Sequence, residues 1–328
     1  MPGLVVIRGM GSIGRRHARV LRAMGHDVRG WPVRPRDAGV DGIPLMSDDE
    51  ALGVAPVADL VVVSTDTARH VDDARLVLDA GARRVLVEKP VAPTAADGER
   101  LLSHPLARER VMVAAPLRAH LGFRHFLAAT EHLATPRFAS VFAQSWLPSW
   151  RPERDYRDSY SARPEEGGAM RDLVHEIDYA AVAFGRPRNV TAVLDREGPL
   201  EMAAEQGATL LWATDSGSVS VRVDYVTRPP RRGALVTSPS GSVAWDPTTA
   251  TVTVVSRDGR TRVVRTAEDL DRDSVLTRQA RAALDRSPEA PLSERLEAGA
   301  PASLPEALLA VRVCDDARSF RHEEAPRP

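Results

Sequence analysis

The segment that most constrains this chain comes at its start, where Leu4-Val5-Val6-Ile7 runs almost directly into Gly9-Met10-Gly11-Ser12-Ile13-Gly14. A short apolar run rich in branched residues predicts a strand buried on both faces. A helix follows, with Ile13, Val20, Leu21 and Met24 on one face, Arg15, Arg16, Arg19 and Arg22 on the other, and Gly25 ending the pattern. Between strand and helix, Gly9 permits a tight turn, Gly11 lets a pyrophosphate approach the backbone, and Gly14 lets helix pack on strand. Gly9, Gly11, Ser12, Ile13 and Gly14 are therefore the expected cradle of a dinucleotide; the alternative is a plain strand-to-helix turn that binds nothing. Arg8 is anomalous at the end of a buried strand. It either bends to solvent or reaches the bound dinucleotide.

The alternation continues. Residues 27–33, 59–64, 84–87 and 111–115 read as further strands and 68–79 as a helix, which predicts a doubly wound parallel sheet. The pattern then changes, so the boundary is expected near residue 118, with a dinucleotide-binding domain over 1–118 and a second domain over 119–328. The second domain is expected to be α+β with an open, mainly antiparallel sheet. Helices are predicted near 122–133, 268–286 and 303–320, and one long helix over 167–184. Strands are predicted at 138–146, 190–194, 208–213, 218–226, 233–237 and 251–255. Val219, Val221, Val223 and Tyr225 alternate with polar residues, which gives that sheet one buried face.

Composition excludes several classes. Lys and Arg total 44 against 45 Asp and Glu in 328 residues, so no basic field recruits nucleic acid. The apolar runs are too short to span a bilayer, and Cys314 is the only cysteine, which suits a reducing cytoplasm. No metal is expected, because neither cysteines nor histidines show ligand spacing. The partner expected instead is a small molecule.

An acidic residue normally follows the second strand and binds the ribose hydroxyls of NAD. Here the stretch is Trp31-Pro32-Val33-Arg34-Pro35-Arg36. Arg34 or Arg36 offers a planar fork to a 2′-phosphate, which favours NADP over NAD, unless both are merely solvated. Ser64, Thr65 and His70 end one strand and begin the next helix, at the edge where open α/β sheets bind ligands. Glu88-Lys89-Pro90 ends another strand at the same edge. Desolvation and a nearby oxidised nicotinamide both lower a lysine pKa toward a range useful for proton transfer.

These residues resemble the glucose-fructose oxidoreductase and inositol dehydrogenase (Gfo/Idh/MocA) family over nearly the whole chain. Three segments carry the resemblance: Gly9 to His17, Glu88-Lys89-Pro90, and Gly167-Gly168-Ala169-Met170-Arg171-Asp172-Leu173-Val174-His175-Glu176-Ile177-Asp178. The loop from Trp150 to Ser161 is similar to a branch acting in polysaccharide and modified-sugar pathways. The resemblance implies an oxidoreductase that exchanges hydride between NAD(P) and a secondary alcohol or ketone on a sugar, sugar derivative or cyclitol. Lys89 is implied in proton transfer, with Asp172 and His175 meeting it from the second domain, and Glu88 and Lys89 also beside the cofactor. Asp172, His175 and Asp178 lie three apart, so on one helix they share a face.

Arg118 matches a family arginine and is assigned to substrate, with Tyr156, Tyr160 and Arg171; Arg157 and Arg163 lie in the same loop. Ala169 replaces a common glycine and Arg171 a common aliphatic residue, departures that support a rival reading as a non-catalytic NAD(P)-binding sensor. A second rival is a reductase of imines or conjugated double bonds. Relatives associate through the second sheet, so a homodimer or homotetramer is expected.

Overall fold

The computed structural model describes residues 3–34, 39–187 and 189–319. The first sheet is built from β1 (Leu4–Arg8), α1 (Ser12–Ala23), β2 (Asp27–Trp31), α2 (Asp48–Val54), β3 (Leu60–Val63), α3 (His70–Asp79), β4 (Val85–Val87), α4 (Ala95–Leu102), α5 (Ala107–Arg110) and β5 (Val111–Val113). β5, β4, β3, β1 and β2 run parallel in that order. Both faces are buried, which is why these strands read as unbroken apolar runs. Val5, Ile7, Val62, Leu86 and Met112 share one core with Leu21 of α1, while Val6, Val61, Val63, Val85 and Val87 share another, on the opposite face, with Ala74, Val77 and Leu78 of α3. The order reverses at β1, and the crevice beyond the C-terminal ends of β1 and β3 is where such sheets bind ligands.

The chain then forms α6 (Leu121–Glu131), β6 (Arg137–Trp146), α7 (Ala169–Asp172), α8 (Val174–Phe184), β7 (Thr191–Asp195), β8 (Gly207–Thr214), β9 (Gly217–Asp224), β10 (Val226–Ser238), β11 (Gly241–Asp246), β12 (Thr251–Ser256) and β13 (Thr261–Arg265). Strands β6 to β13 make one sheet in the order β13-β12-β11-β10-β6-β9-β8-β7, antiparallel except where β6 pairs with β9. Val219, Val221 and Val223 lie on its buried face, in one core with Phe123 and Phe126 of α6 and Ile177 of α8.

Two expectations about local structure need correction. The helix expected over 167–184 is broken at Leu173, so Asp172 closes a single turn and His175 opens a separate helix. The turn is pinned at its start: Gly168 takes φ +90°, and a side chain there would collide with the Glu205 carboxylate, which Arg318 holds at 2.8 Å. Strands β11 and β13 were not expected, because neither carries a long apolar run and β13 is largely exposed.

The unit assigned to residues 119–328 also contains parts of the first domain. After the second sheet come α9 (Arg272–Asp285), α10 (Leu292–Ala298), β14 (Ala302–Ser303) and α11 (Leu304–Ser319). β14 pairs antiparallel with β5 and covers an edge that would otherwise expose unpaired backbone groups. Arg19 of α1 forks onto Asp273 of α9 at 2.7 and 2.9 Å. Leu308 of α11 lies where a side chain at Gly98 of α4 would be.

Arg118 ties these pieces together. Its guanidinium is buried and bonds both oxygens of Asp178 on α8 at 2.6 and 2.8 Å and Glu306 on α11 at 2.7 Å; Glu306 also accepts from Arg295 of α10 at 2.9 Å. Although burial favours the neutral acid, the two arginines pull the Glu306 carboxyl down to about 2. Removing the cation would leave two carboxylates facing each other in the interior. Arg118→Met is therefore expected to lower unfolding free energy by about 3–5 kcal/mol in urea titration; a change within experimental error would exclude this hub as a structural element.

Candidate functional site

The glycine turn is shaped for close approach of a ligand. Gly9 has φ +92°, and a side chain on it would meet the backbone of Ser64 at 2.8 Å. A Cβ on Gly14 would lie 2.0 Å from the Gly9 carbonyl oxygen, whereas one on Gly11 would meet nothing within 4 Å. The open space thus lies over Gly11, at the start of α1, where Ser12 and Ile13 bring the helix N-terminus. No side chain caps that terminus and no acidic residue stands in its first turn. Its positive end suits an anion. Ser64 holds the turn from below, its hydroxyl donating to the carbonyls of Arg8 and Gly9 at 3.1 and 2.9 Å. Beside it the buried Thr65 hydroxyl has no partner among the described residues. These features fit a dinucleotide pyrophosphate.

Arg8 does not bend to solvent. It is buried, stacks over Trp31 at 4.2 Å, and donates to Asp73 and to the Pro32 carbonyl, both at 3.2 Å. Arg69 shares Asp73, and Asp48 accepts from Trp31 Nε1 at 2.5 Å. Arg34 is exposed at the end of this cluster, while Arg36 lies outside the described residues.

Lys89 leaves the end of β4 and reaches the second domain. Its ammonium donates to the Asp172 carbonyl at 2.9 Å and lies 4.0 Å from Asp172 Oδ1. The helix break makes this contact possible: the amide of Glu176 bonds the Leu173 carbonyl, so the Asp172 carbonyl is left to accept from Lys89. Asp172 Oδ2 accepts from Ser161 at 2.6 Å and Tyr225 at 2.7 Å, but its buried Oδ1 has no hydrogen-bond partner among the described residues. Burying an unsatisfied carboxylate oxygen is unfavourable, which marks Oδ1 as a place for a donor from a ligand.

His175 follows on α8. Burial, then the charges of Lys89, Arg232 and Arg118, hold its pKa well below the ordinary value. The ring is therefore neutral near pH 7, and it makes no hydrogen bond to another described residue. Neighbouring Glu176 is occupied by Arg232 in a two-point contact at 2.7 and 2.9 Å. The break also separates the three residues expected on one face, since Asp178 points to Arg118.

The backbone under Lys89 is fixed by histidines. Glu88 is buried and meets His17 of α1 at 2.7 Å while also accepting from the Lys89 amide. Burial raises the Glu88 pKa, but His17 and Lys89 outweigh it and the net shift is downward. His70 lies between the Pro90 carbonyl at 2.8 Å and the Thr65 carbonyl at 3.0 Å. Its pKa is lowered, chiefly by burial. Glu88, Ser64 and His70 therefore support the turns around the crevice.

Other assigned residues lie elsewhere. Arg118 is enclosed in its ion-pair hub, with its guanidinium nitrogens on Asp178 and Glu306. Arg171 turns to the Pro164 and Glu165 carbonyls and to Asp315 of α11, and Ala169 is buried in the second core. The two departures from the family pattern thus do not crowd the crevice. Tyr156 accepts from the Glu201 amide at 3.0 Å, Arg157 is paired with Asp155 and Glu201, and Tyr160 lies beside Ser161 and Asp172. Sequence reading gave no role to Ser161 and Tyr225, which orient Asp172, or to His120, which sits 3.8 Å from Asp269 and edge-on to Trp245. Burial, reinforced by Arg278 and Arg232 against Asp269, brings the His120 pKa down to about 4. No motif spacing links these residues. Among the described residues no cluster of His, Cys, Asp or Glu is placed to hold a metal, and no helix is long and apolar enough to cross a membrane.

Comparison with known proteins agrees with this geometry. Residues 4–115 match the Gfo/Idh/MocA profile, described as an oxidoreductase family with an NAD-binding Rossmann fold. No curated protein matches the chain in sequence. Among solved structures, UDP-N-acetylglucosamine 3-dehydrogenase GnnA from Acidithiobacillus ferrooxidans superposes with TM-score 0.74 at 17% identity, covering 97% of each chain. Levoglucosan dehydrogenase in complex with NADH and L-sorbose gives 0.76 at 16% identity, over 97% of this chain and 96% of that one. Aldose-aldose oxidoreductase from Caulobacter crescentus gives 0.74 at 18% identity, over 98% and 99%. At such identities the likeness concerns the fold. The match to the Gfo/Idh/MocA oxidoreductase family thus lies in residues 4–115, the Rossmann-fold part of the chain.

Proposed function

We propose that the protein is an NAD(P)-dependent oxidoreductase that interconverts a secondary alcohol and a ketone on a sugar, sugar derivative or cyclitol. The observation that carries this reading is Lys89 Nζ, held beside the unpartnered Asp172 Oδ1 with a neutral His175 close by. The names of the superposed enzymes agree with a sugar-like substrate. A bound nicotinamide supplies the hydride acceptor or donor. Gly9, Gly11, Ser12, Ile13, Gly14 and Thr65 would hold the cofactor, and Lys89 and Asp172 would orient the carbinol. In oxidation the hydroxyl proton passes to the Lys89–His175 pair, where the neutral imidazole offers a lone pair. In reduction Lys89 donates to the carbonyl oxygen. Asp172 Oδ1 accepts from an adjacent hydroxyl, which favours a polyol.

Lys89 is the only lysine in the chain; all other Lys+Arg positions are arginine. Amine-directed reductive methylation thus modifies one side chain besides the N-terminus. It is expected to abolish turnover on a panel of sugars and inositols, and Lys89→Ala to lower kcat by about 10²–10⁴-fold with folding intact. Because the His175 pKa is depressed, its ring NMR signals should not move between about pH 5.5 and 8. Unchanged turnover of the Lys89 variant, or a His175 midpoint near 6.5, would contradict these roles.

For the cofactor, the reading is NADP over NAD. No carboxylate follows directly on β2, where Pro32, Val33 and the exposed Arg34 stand, and Asp48 is already engaged by Trp31 and lies 3.6 Å from Arg8. Arg34→Ala is expected to weaken NADPH binding about tenfold, leaving NADH unchanged. Equal effects on both, measured by fluorescence titration, would remove Arg34 from that role.

The protein is further proposed to act in the cytoplasm, as a homodimer or homotetramer formed through the outer face of the second sheet. Phe138, Val193, Leu211, Leu235 and Val263 are exposed there. One row across the eight strands carries only Thr, Leu, Ser, Ala and Val, from Thr191 through Leu211, Ser220, Ser140, Leu235, Ala244 and Thr253 to Val263. A flat face without charges in that row suits burial against a second copy. Light scattering should give at least twice the 35.6 kDa chain mass, and Leu211→Arg should halve it. A monomer at micromolar concentration would refute the assembly.

A further inference from the structure

A cavity of about 340 Å³ opens in the loop between β6 and α7, lined by Trp150, Arg151, Arg154, Tyr156, Tyr160 and Ser161 among others. It adjoins the reacting groups. Ser161 donates to Asp172 at 2.6 Å, and Trp150 stands edge-on to Tyr225 at 5.5 Å, whose hydroxyl also donates to Asp172. A substrate with its carbinol at Lys89 therefore has this cavity within reach of its remaining substituents.

The charges on its wall are unequal in availability. Two carboxylates line it, Asp155 and Asp158, but Asp155 is bonded at both oxygens by Arg157, which also holds Glu201. Arg151 and Arg154 have no carboxylate within ion-pair distance among the described residues. Two free guanidiniums thus face a single unneutralised acid, beside three aromatic rings. Guanidinium forks match phosphate oxygens, and indole and phenol rings stack on flat heterocycles.

We propose that this cavity is the subsite for the nucleoside diphosphate arm of a nucleotide-linked sugar, with Arg151 and Arg154 on the phosphates and the aromatic rings against the base. This rests on the oxidoreductase reading only for the position of the sugar at Lys89; the arm binds without turnover. A hydroxylic sugar alone would leave both arginines unused, and a lone phosphate would leave the aromatic wall unused.

The test fills the dinucleotide site first. UDP, GDP and dTDP are titrated by calorimetry onto the full-length protein in excess NADH and NADPH, with glucose 1-phosphate and pyrophosphate as comparisons. At least one nucleoside diphosphate should bind at least about tenfold tighter than either comparison, and Arg151→Ala/Arg154→Ala should weaken it at least about tenfold. Trp150→Ala should weaken it as well, with circular dichroism and cofactor affinity unchanged. Lys89→Ala should leave this binding intact. Absence of nucleoside diphosphate binding, equal binding of glucose 1-phosphate, or binding indifferent to both arginines would each overturn the proposal. Arm binding without turnover on any sugar would sink the reaction and spare the subsite; turnover of sugars with no nucleoside diphosphate binding would do the reverse.

Discussion

The site depends on one contact between the two domains, the Lys89 ammonium on the Asp172 carbonyl. Each partner is anchored in its own domain. Lys89 stands on a turn held by Glu88 against His17 and by His70 against the Pro90 carbonyl. Asp172 stands on a turn whose carboxylate is fixed by Ser161 and Tyr225. A carbonyl inside a continuous helix already accepts an amide four residues on. The break at Leu173 releases this one, so a local departure from helical regularity creates the acceptor that joins the domains. The two carboxylate oxygens of Asp172 also differ, Oδ2 being satisfied by Ser161 and Tyr225 while Oδ1 has no hydrogen-bond partner among the described residues.

Such a contact requires the domains to keep their relative position, and the C-terminal third provides for that. β14 closes the edge of the first sheet, α9 is tied to α1 through Arg19 and Asp273, and Arg118 links the segment after β5 to α8 and α11. A buried ion pair is costly to desolvate, and its strength lies in geometry when every donor is matched. Arg118 approaches that condition with one charge-assisted bond from each of its three nitrogens. The charge that looks available for substrate when read along the sequence is in fact neutralised in the interior.

That contrast explains what was legible in the sequence. The parallel strands and the glycine turn follow from local chemistry, because strands buried on both faces must be apolar throughout and only glycine tolerates the contacts at Gly9 and Gly14. The pairing Lys89 with Asp172 was legible through motif resemblance. The break at Leu173 was not, since the contacts around that turn come from Glu205, Arg318 and Lys89, all distant in sequence. The protein partners of Arg118 and Arg171 were illegible for the same reason: a side chain's partners are set by tertiary structure. Strand β13 escaped because an exposed edge strand carries little of the alternation that marks a half-buried one.

The single lysine sharpens the chemical argument. Arginine performs the ion pairing throughout this chain, at Arg118, Arg232, Arg295 and Arg318. A guanidinium remains protonated at any pH an enzyme meets, and its planar fork requires two aligned acceptors. Position 89 presents a different demand: one carbonyl, one carboxylate oxygen 4.0 Å away and, on the proposed reaction, a proton to be held and released. An ammonium, with a lower intrinsic pKa and three rotatable donors, meets it. In a chain where every other such cation is an arginine, an amine at this crevice is better explained by proton transfer than by charge alone.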